Sequence, residues 1–409
     1  MSEKSELANQ LVEELSNLTT LDTNEALLER LKIILADFII CVASGNKLSS
    51  TPSLLAQDGA IGLAARLASQ SAYEDKDDLD WSAVNHPGSV VFAAALATTL
   101  QFPKFRKNFL QSALAGMRTS ASIAHFFGAE HRKRWHITAT AGTFGATSAA
   151  AAVFNLNQEG TKRAFHLAGT NMGGIGQVSR ELQRTPRFNR AAAAALGVTA
   201  AAGAYENIPS IKNLWDGDRG LIEVFNLETL ITGNKLIKDG LSTVRVRTFP
   251  ATGFIQSALL GVSKLAELNS GELLKLKVEV NAGVFPILSD PAKERWWNLQ
   301  LNCAAAWRSK NPMDLTPAPE IEKLVLVQGS DIPLGSARIS GETSAGPFEL
   351  YVAQAPGLDL FDQTEILWRN EKWRAMIGES YQSVVDLAAA LISGDTSEAT
   401  WDELEKLVR

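Results

Sequence analysis

The stretch RWHITATAGTFGATSAAAA, residues 134–152, consists after its first four positions almost wholly of residues too small to fill a core by themselves. If it is helical, other helices must approach it closely, because Gly142, Gly145 and the alanines remove the bulk that normally keeps backbones apart. The same character returns over 89–101, 107–127, 142–154, 158–170 and 190–205, all Ala-rich with few β-branched residues. Such segments are expected to be helices buried on most sides and packed on one another. A chain that commits this much length to small helical residues is constrained to a helix-on-helix body.

The first long helix is read from DTNEALLERLKIILADFIICVASG, with an N-cap at Asp22, Glu25 three residues on, and a stop at Gly45. Near residue 243 the pattern changes. STVRVRTF and LLKLKVEVNAGVF alternate as half-buried strands do, and EKLVLVQG, ARISGETSAG and FELYVAQAPG continue the theme. GFIQSALLGVSKLAEL and ERWWNLQLNCAAAWRS read as helices between them. From Trp368 helix returns, closing on TWDELEKLV with Thr400 and Glu403 as a capping box. The expected fold class is mainly α: a large all-helical domain formed by both chain ends (1–242 plus 358–409), with an inserted smaller α+β lid domain (243–357). The cleft between them is the expected place for a small ligand.

Composition removes several function classes. A net charge of −6 over 409 residues argues against a nucleic-acid surface, and HRKRWH (131–136) is too short a basic cluster to change that. Two distant cysteines, Cys41 and Cys303, cannot build a structural zinc or iron–sulfur site, and read as buried reduced thiols. The start, MSEKSELANQLVEELSN, has no apolar signal core, and no apolar run reaches the roughly 18 residues of a membrane span. A cytoplasmic protein with no membrane partner is expected. NMGGIGQ (171–177) lacks the preceding strand and following Lys-Ser/Thr of a phosphate loop, so its glycines are read as a break between helices.

WHITATAGTFGATSAAAAVFNL resembles the GFHPT…GTFGAAAAAAKLLGL segment of the MmgE/PrpD family, which includes 2-methylcitrate dehydratase, cis-aconitate decarboxylase and iminodisuccinate epimerase. EDKDDL (74–79) resembles that family's LDYDDT word, and NHPGSVVFAAALA (85–97) its HPG…PAALA word. RTPRFNRAAAAALGVTAAA (184–202), LWDGDRGLIEVF (214–225) and RTFPATGFIQSALLG (247–261) resemble further family words, in family order along nearly the whole chain. The resemblance implies a helical body with an inserted lid, no cofactor, no metal, a homodimer, and a carboxylic acid as small-molecule substrate. The implied chemistry is proton transfer at a carbon next to a carboxylate, giving dehydration, decarboxylation or epimerisation.

Carried over position by position, the resemblance implies His86 and His136 as the proton-handling groups, since an imidazole titrates near neutrality. Asp75 matches the first aspartate of the acidic word and would orient a histidine, and Asp78 matches the last. That alignment needs one extra residue before His86; without it Lys76 takes the aspartate position. Arg184 and Arg247 stand where the family has lysines and would hold carboxylate, though arginine is no proton donor. Arg187, where the family has histidine, and Arg190 extend a cationic wall. Leu301 falls on a family tyrosine, Leu79 on a threonine, and Thr252 and Gln256 on cysteine or histidine positions. With Trp296 and Trp297 alongside, these losses make the pocket less polar, so a larger, more apolar substrate or a non-catalytic relative stand as alternatives. His125, His131 and His166 fall on no family word and are read as surface or helix residues.

Overall fold

The computed structural model describes residues 13–15, 23–48, 58–181, 185–227, 240–290, 295–314, 316–357, 359 and 361–409. The protein is mainly helical with small sheets, and among the described residues no helix is long and apolar enough to cross a membrane. It divides into two compact units. The first comprises Met1–Tyr73, Asp77–Val244 and Ile377–Arg409; the second comprises Glu74–Lys76 and Arg245–Met376.

The first unit is helical. Its helices are α1 (Glu25–Leu48), α2 (Ala60–Ser71), α3 (Pro87–Gln101), α4 (Phe109–Arg132), α5 (Ile137–Val153), α6 (Gln158–Gly169) and α7 (Thr185–Tyr205), joined by Tyr381–Ile392 and Glu398–Val408. Helix α5 is buried along almost its whole length and runs against α3, α4, α6 and α7. Its small residues make this possible. A Cβ on Gly116 of α4 would lie 2.9 Å from the Gly145 carbonyl, and one on Gly145 would lie 3.0 Å from that of Gly116, so the two backbones nearly touch. Larger side chains fill the flank of the stack, where Phe127, Phe144, Phe165, Trp215 and Phe225 form an aromatic cluster. Helix α4 is broken at Gly128, whose φ of 68° lies in the left-handed region, and its last turn swings His131 into that cluster.

The second unit is α+β. It holds α8 (Gln256–Leu268), α9 (Leu299–Ser309) and α10 (Gln363–Ile377) with strands β1 (Leu273–Asn281), β2 (Leu324–Gly329), β3 (Ala337–Thr343) and β4 (Gly346–Val352). The sheet order is β2-β1-β3-β4; β1 and β2 are parallel, and the other two pairs are antiparallel. Leu276, Val278 and Ile339 project from one face onto Leu259, Val262, Leu299 and Cys303, which gives this unit its own core.

Several local expectations are corrected. Gly45 does not stop α1, which runs to Leu48; a Cβ at Gly45 would run into the Gln70 carbonyl, so the glycine serves a close crossing with α2. Asp22 lies outside the described residues, and the side chain of Asn24 caps α1 by accepting the Leu27 N–H at 2.9 Å. The last helix is capped by Ser397, whose hydroxyl accepts the Thr400 N–H, so Thr400 is inside the helix. STVRVRTF is strand only at Val244–Arg245. From Val246 to Phe249 every residue is buried, so the segment is enclosed on all sides and its alternation has no wet face.

Candidate functional site

His86 and His136 occupy the same structural position: each is the N-cap residue of a buried helix, His86 of α3 and His136 of α5. Pro87 opens α3, as its fixed φ and missing N–H allow at a first helical position. The two helix starts are joined, because the His86 N–H donates to the Thr138 hydroxyl in the first turn of α5 at 3.2 Å.

The His86 ring is oriented by the acidic word. Its Nδ1 lies 2.7 Å from the Asp78 carbonyl oxygen, which can only accept, so Nδ1 carries the proton and Nε2 is the basic nitrogen. Asp78 also accepts the Gly88 N–H at 2.8 Å, so one residue holds both the ring and the first turn of the helix behind it. Burial, with the neighbouring Asp77 carboxylate next, pushes the Asp78 carboxyl up to about 8. Asp77 lies 3.6 Å from His86 Nδ1 and makes a buried ion pair with Arg190 of α7 at 2.5 Å. Upstream, Val84 has φ 55°, a strained conformation for a β-branched residue, in the turn where Asp80 and Asn85 bridge.

His136 is set differently. Its backbone N–H donates to the Gly174 carbonyl at 2.8 Å, and Gly174, with φ 107°, approaches so closely that a Cβ would lie 2.7 Å from Ala139. The glycine run 171–177 therefore closes over the start of α5. The Asn189 amide lies 3.3 Å from His136 Nδ1 and donates to it, which leaves the proton on Nε2. Burial first, then the Arg190 charge, lower the pKa to about 3, so this imidazole is neutral at physiological pH and presents Nε2–H as a donor.

In the second unit, Arg247 grips Asp75 with both prongs, Nη1 to Oδ2 at 2.9 Å and Nη2 to Oδ1 at 3.0 Å. The buried Lys372 ammonium donates to the carbonyls of Lys76 (2.8 Å) and Arg247 (2.9 Å), fastening the two ends of this pair. Lys76 itself pairs with Glu74. Gln256 is wholly structural: its oxygen accepts the Phe249 N–H, and its amide donates to the Phe249 and Ala251 carbonyls. Thr252 is buried, with its N–H on the Trp296 carbonyl. Leu301 is half-buried in the first turn of α9, below the Asn298 cap.

Within the helical unit, then, the structure brings together His86, Asp78, Asp77, Arg190, Thr138 and, through Asn189, His136. Arg187 holds its guanidinium 4.4 Å over the Tyr73 ring. Arg184 lies outside the described residues. Of the other histidines, His125 bonds Asp80 and Ser82, while His131 and His166 are buried in their helices; burial pushes His131 down to about 3. Sequence reasoning missed Asp77 and Asn189. Asp77 is one acid in a run of several, and Asn189 sits in a helix start with no motif of its own.

The class this defines is a mainly helical protein carrying a buried, ionisable cluster at two helix N-termini. Residues 60–230 match the MmgE/PrpD N-terminal domain, the stretch that holds α2 to α7 and both histidines, and the match supports membership of the MmgE/PrpD family. That family is generally enzymatic, with dehydratases and lyases among its members. No curated protein matches the chain.

Proposed function

We propose that the protein is a lyase or isomerase that moves a proton at a carbon next to a carboxylate of a small organic acid. The observation that carries this is the opposite orientation of two histidines on joined helix starts. His86, with Nδ1–H on the Asp78 carbonyl, offers Nε2 as base, while His136, neutral with Nδ1 accepting from Asn189, offers Nε2–H as donor. A base removes the proton and a donor stabilises the oxygen on which charge develops, which is the division of labour carbanion chemistry requires. Arg190 keeps positive charge beside both rings without donating a proton of its own.

In this reading Asp78 positions His86, and the Arg247 fork, taken up by the Asp75 carboxylate, is not assigned to the substrate. Arg187 and Arg184 add positive charge. The chemistry needs no metal and no cofactor. The protein is read as a cytoplasmic homodimer. A second reading, a larger and more apolar substrate, is favoured by Gln256, whose amide is fully spent on backbone, and by the half-buried Phe254, Trp297 and Leu301 of the second unit.

The test is solvent exchange. The protein is incubated in D2O with citrate, 2-methylcitrate, cis-aconitate, itaconate and malate, and label or product is read by mass spectrometry. Label is expected with wild type, falling by about 10²-fold or more in His86→Ala and more modestly in His136→Ala. No label with any acid from a folded sample overturns the small-polycarboxylate reading and leaves the apolar one.

A further inference from the structure

A cavity of about 430 Å³ lies in the helical unit between α6 and the loop Ser210–Asp216, and none of the residues discussed above as substrate or proton-handling groups lines it. Its helix wall presents Glu159, Lys162, Arg163 and His166, spaced i, i+3, i+4 and i+7 along one face of α6. Its loop wall presents Lys212 and Asp216. Each wall therefore brings one lysine and one carboxylate.

What these groups do with one another is the informative part. Arg163 is occupied, donating to the Asn207 side chain at 2.8 Å. His166 is occupied on one side, its Nδ1–H donating to the Ile211 carbonyl at 2.6 Å, which ties the two walls together and leaves Nε2 as the ring's acceptor. Glu159, Lys162 and Asp216 are close enough to bear electrostatically on His166, whose pKa is lowered by burial above all. Yet among the described residues Glu159, Lys162, Lys212 and Asp216 make no ion pair with each other or with any neighbour. The four charges line one concave space without closing on one another, and the loop that carries two of them is tied to the helix through His166 and the Ile211 carbonyl.

We infer that this cavity is a binding site for a small zwitterion of amino-acid size, its carboxylate held by Lys162 and Lys212 and its ammonium by Glu159 and Asp216. The volume falls within the range of small-molecule pockets. A ligand with one charge only would satisfy one pair and oppose the other. The inference does not depend on the reaction proposed above.

The experiment is calorimetric titration of the full chain with three probes: L-alanine, propionate, which lacks its ammonium, and ethylamine, which lacks its carboxylate. L-Alanine is expected to bind saturably, with each half-probe at least about tenfold weaker, a difference of about 1.4 kcal/mol. Lys162→Met on the helix and Asp216→Asn on the loop, each with a wild-type circular dichroism spectrum, are expected to weaken L-alanine about tenfold. Should one variant misfold, the other carries the comparison, with Lys212→Met in reserve. The inference is overturned if L-alanine shows no saturation by about 30 mM. It is overturned equally if a half-probe binds as tightly as L-alanine, or if folded variants bind it unchanged.

Discussion

At the scale of single residues, the two histidines differ in what they can do, and the difference comes from one hydrogen bond each. A carbonyl on Nδ1 makes His86 basic at Nε2, and an amide donor on Nδ1 makes His136 a donor there. Imidazole nitrogen shifts are therefore expected to report His136 as the neutral Nε2–H tautomer across pH 5 to about 8, with no titration, since its pKa is about 3. Asp78 gives a test by stability. The unfolded chain loses this proton near pH 4, whereas the folded chain holds it to about 8. Over that window the unfolded state binds fewer protons, so wild-type stability falls as pH rises. Asp78→Asn still accepts the Gly88 N–H and has nothing to ionise. Its melting temperature relative to wild type is expected to start level at about pH 4 and rise steadily to about pH 8. The two histidines were singled out because they fall on NHPGS and WHITA, words that resemble the MmgE/PrpD family, and the structure places each at a helix start. Asp77 was not legible, because spacing within an acidic run does not reveal which carboxylate meets Arg190 across the fold.

Among the elements, the crossing of α4 and α5 depends on glycine. A Cβ at Gly116 would meet Ala149 at 2.8 Å and the Gly145 carbonyl at 2.9 Å. Gly116→Ala is thus expected to destabilise the protein by about 1–3 kcal/mol in urea unfolding, overriding the helix-propensity gain. Gly173→Ala, where an added Cβ meets nothing within 4 Å, is the control and should lie within about 0.5 kcal/mol of wild type. Most helices of the first unit were legible from Ala-rich stretches with few β-branched residues, and β1 to β4 from alternation. Their ends were less so, because caps depend on which backbone groups remain unpaired. Ser397 wins the last cap over Thr400 by standing one turn earlier, and Gly45 is retained for a neighbour the local sequence does not name.

The scale of the whole molecule brings in a feature no local pattern carries: how the chain is threaded. Three residues, Glu74–Lys76, belong to the second unit, although the chain on both sides of them belongs to the first. They are held there by the Asp75–Arg247 pair and by Lys372 on the Lys76 carbonyl. Lys372→Met removes the donor from two carbonyls, and a loss of about 3 kcal/mol is expected in urea unfolding, with Lys372→Arg recovering part of it. The threading also limits what can be cut from the gene. A fragment encoding 245–376 would have the strands, helices and core of the second unit, but not the aspartate in the Arg247 fork or the carbonyl under Lys372. Modular exchange of this unit between relatives, whether by recombination or in the laboratory, must therefore carry a three-codon passenger from more than 160 codons upstream.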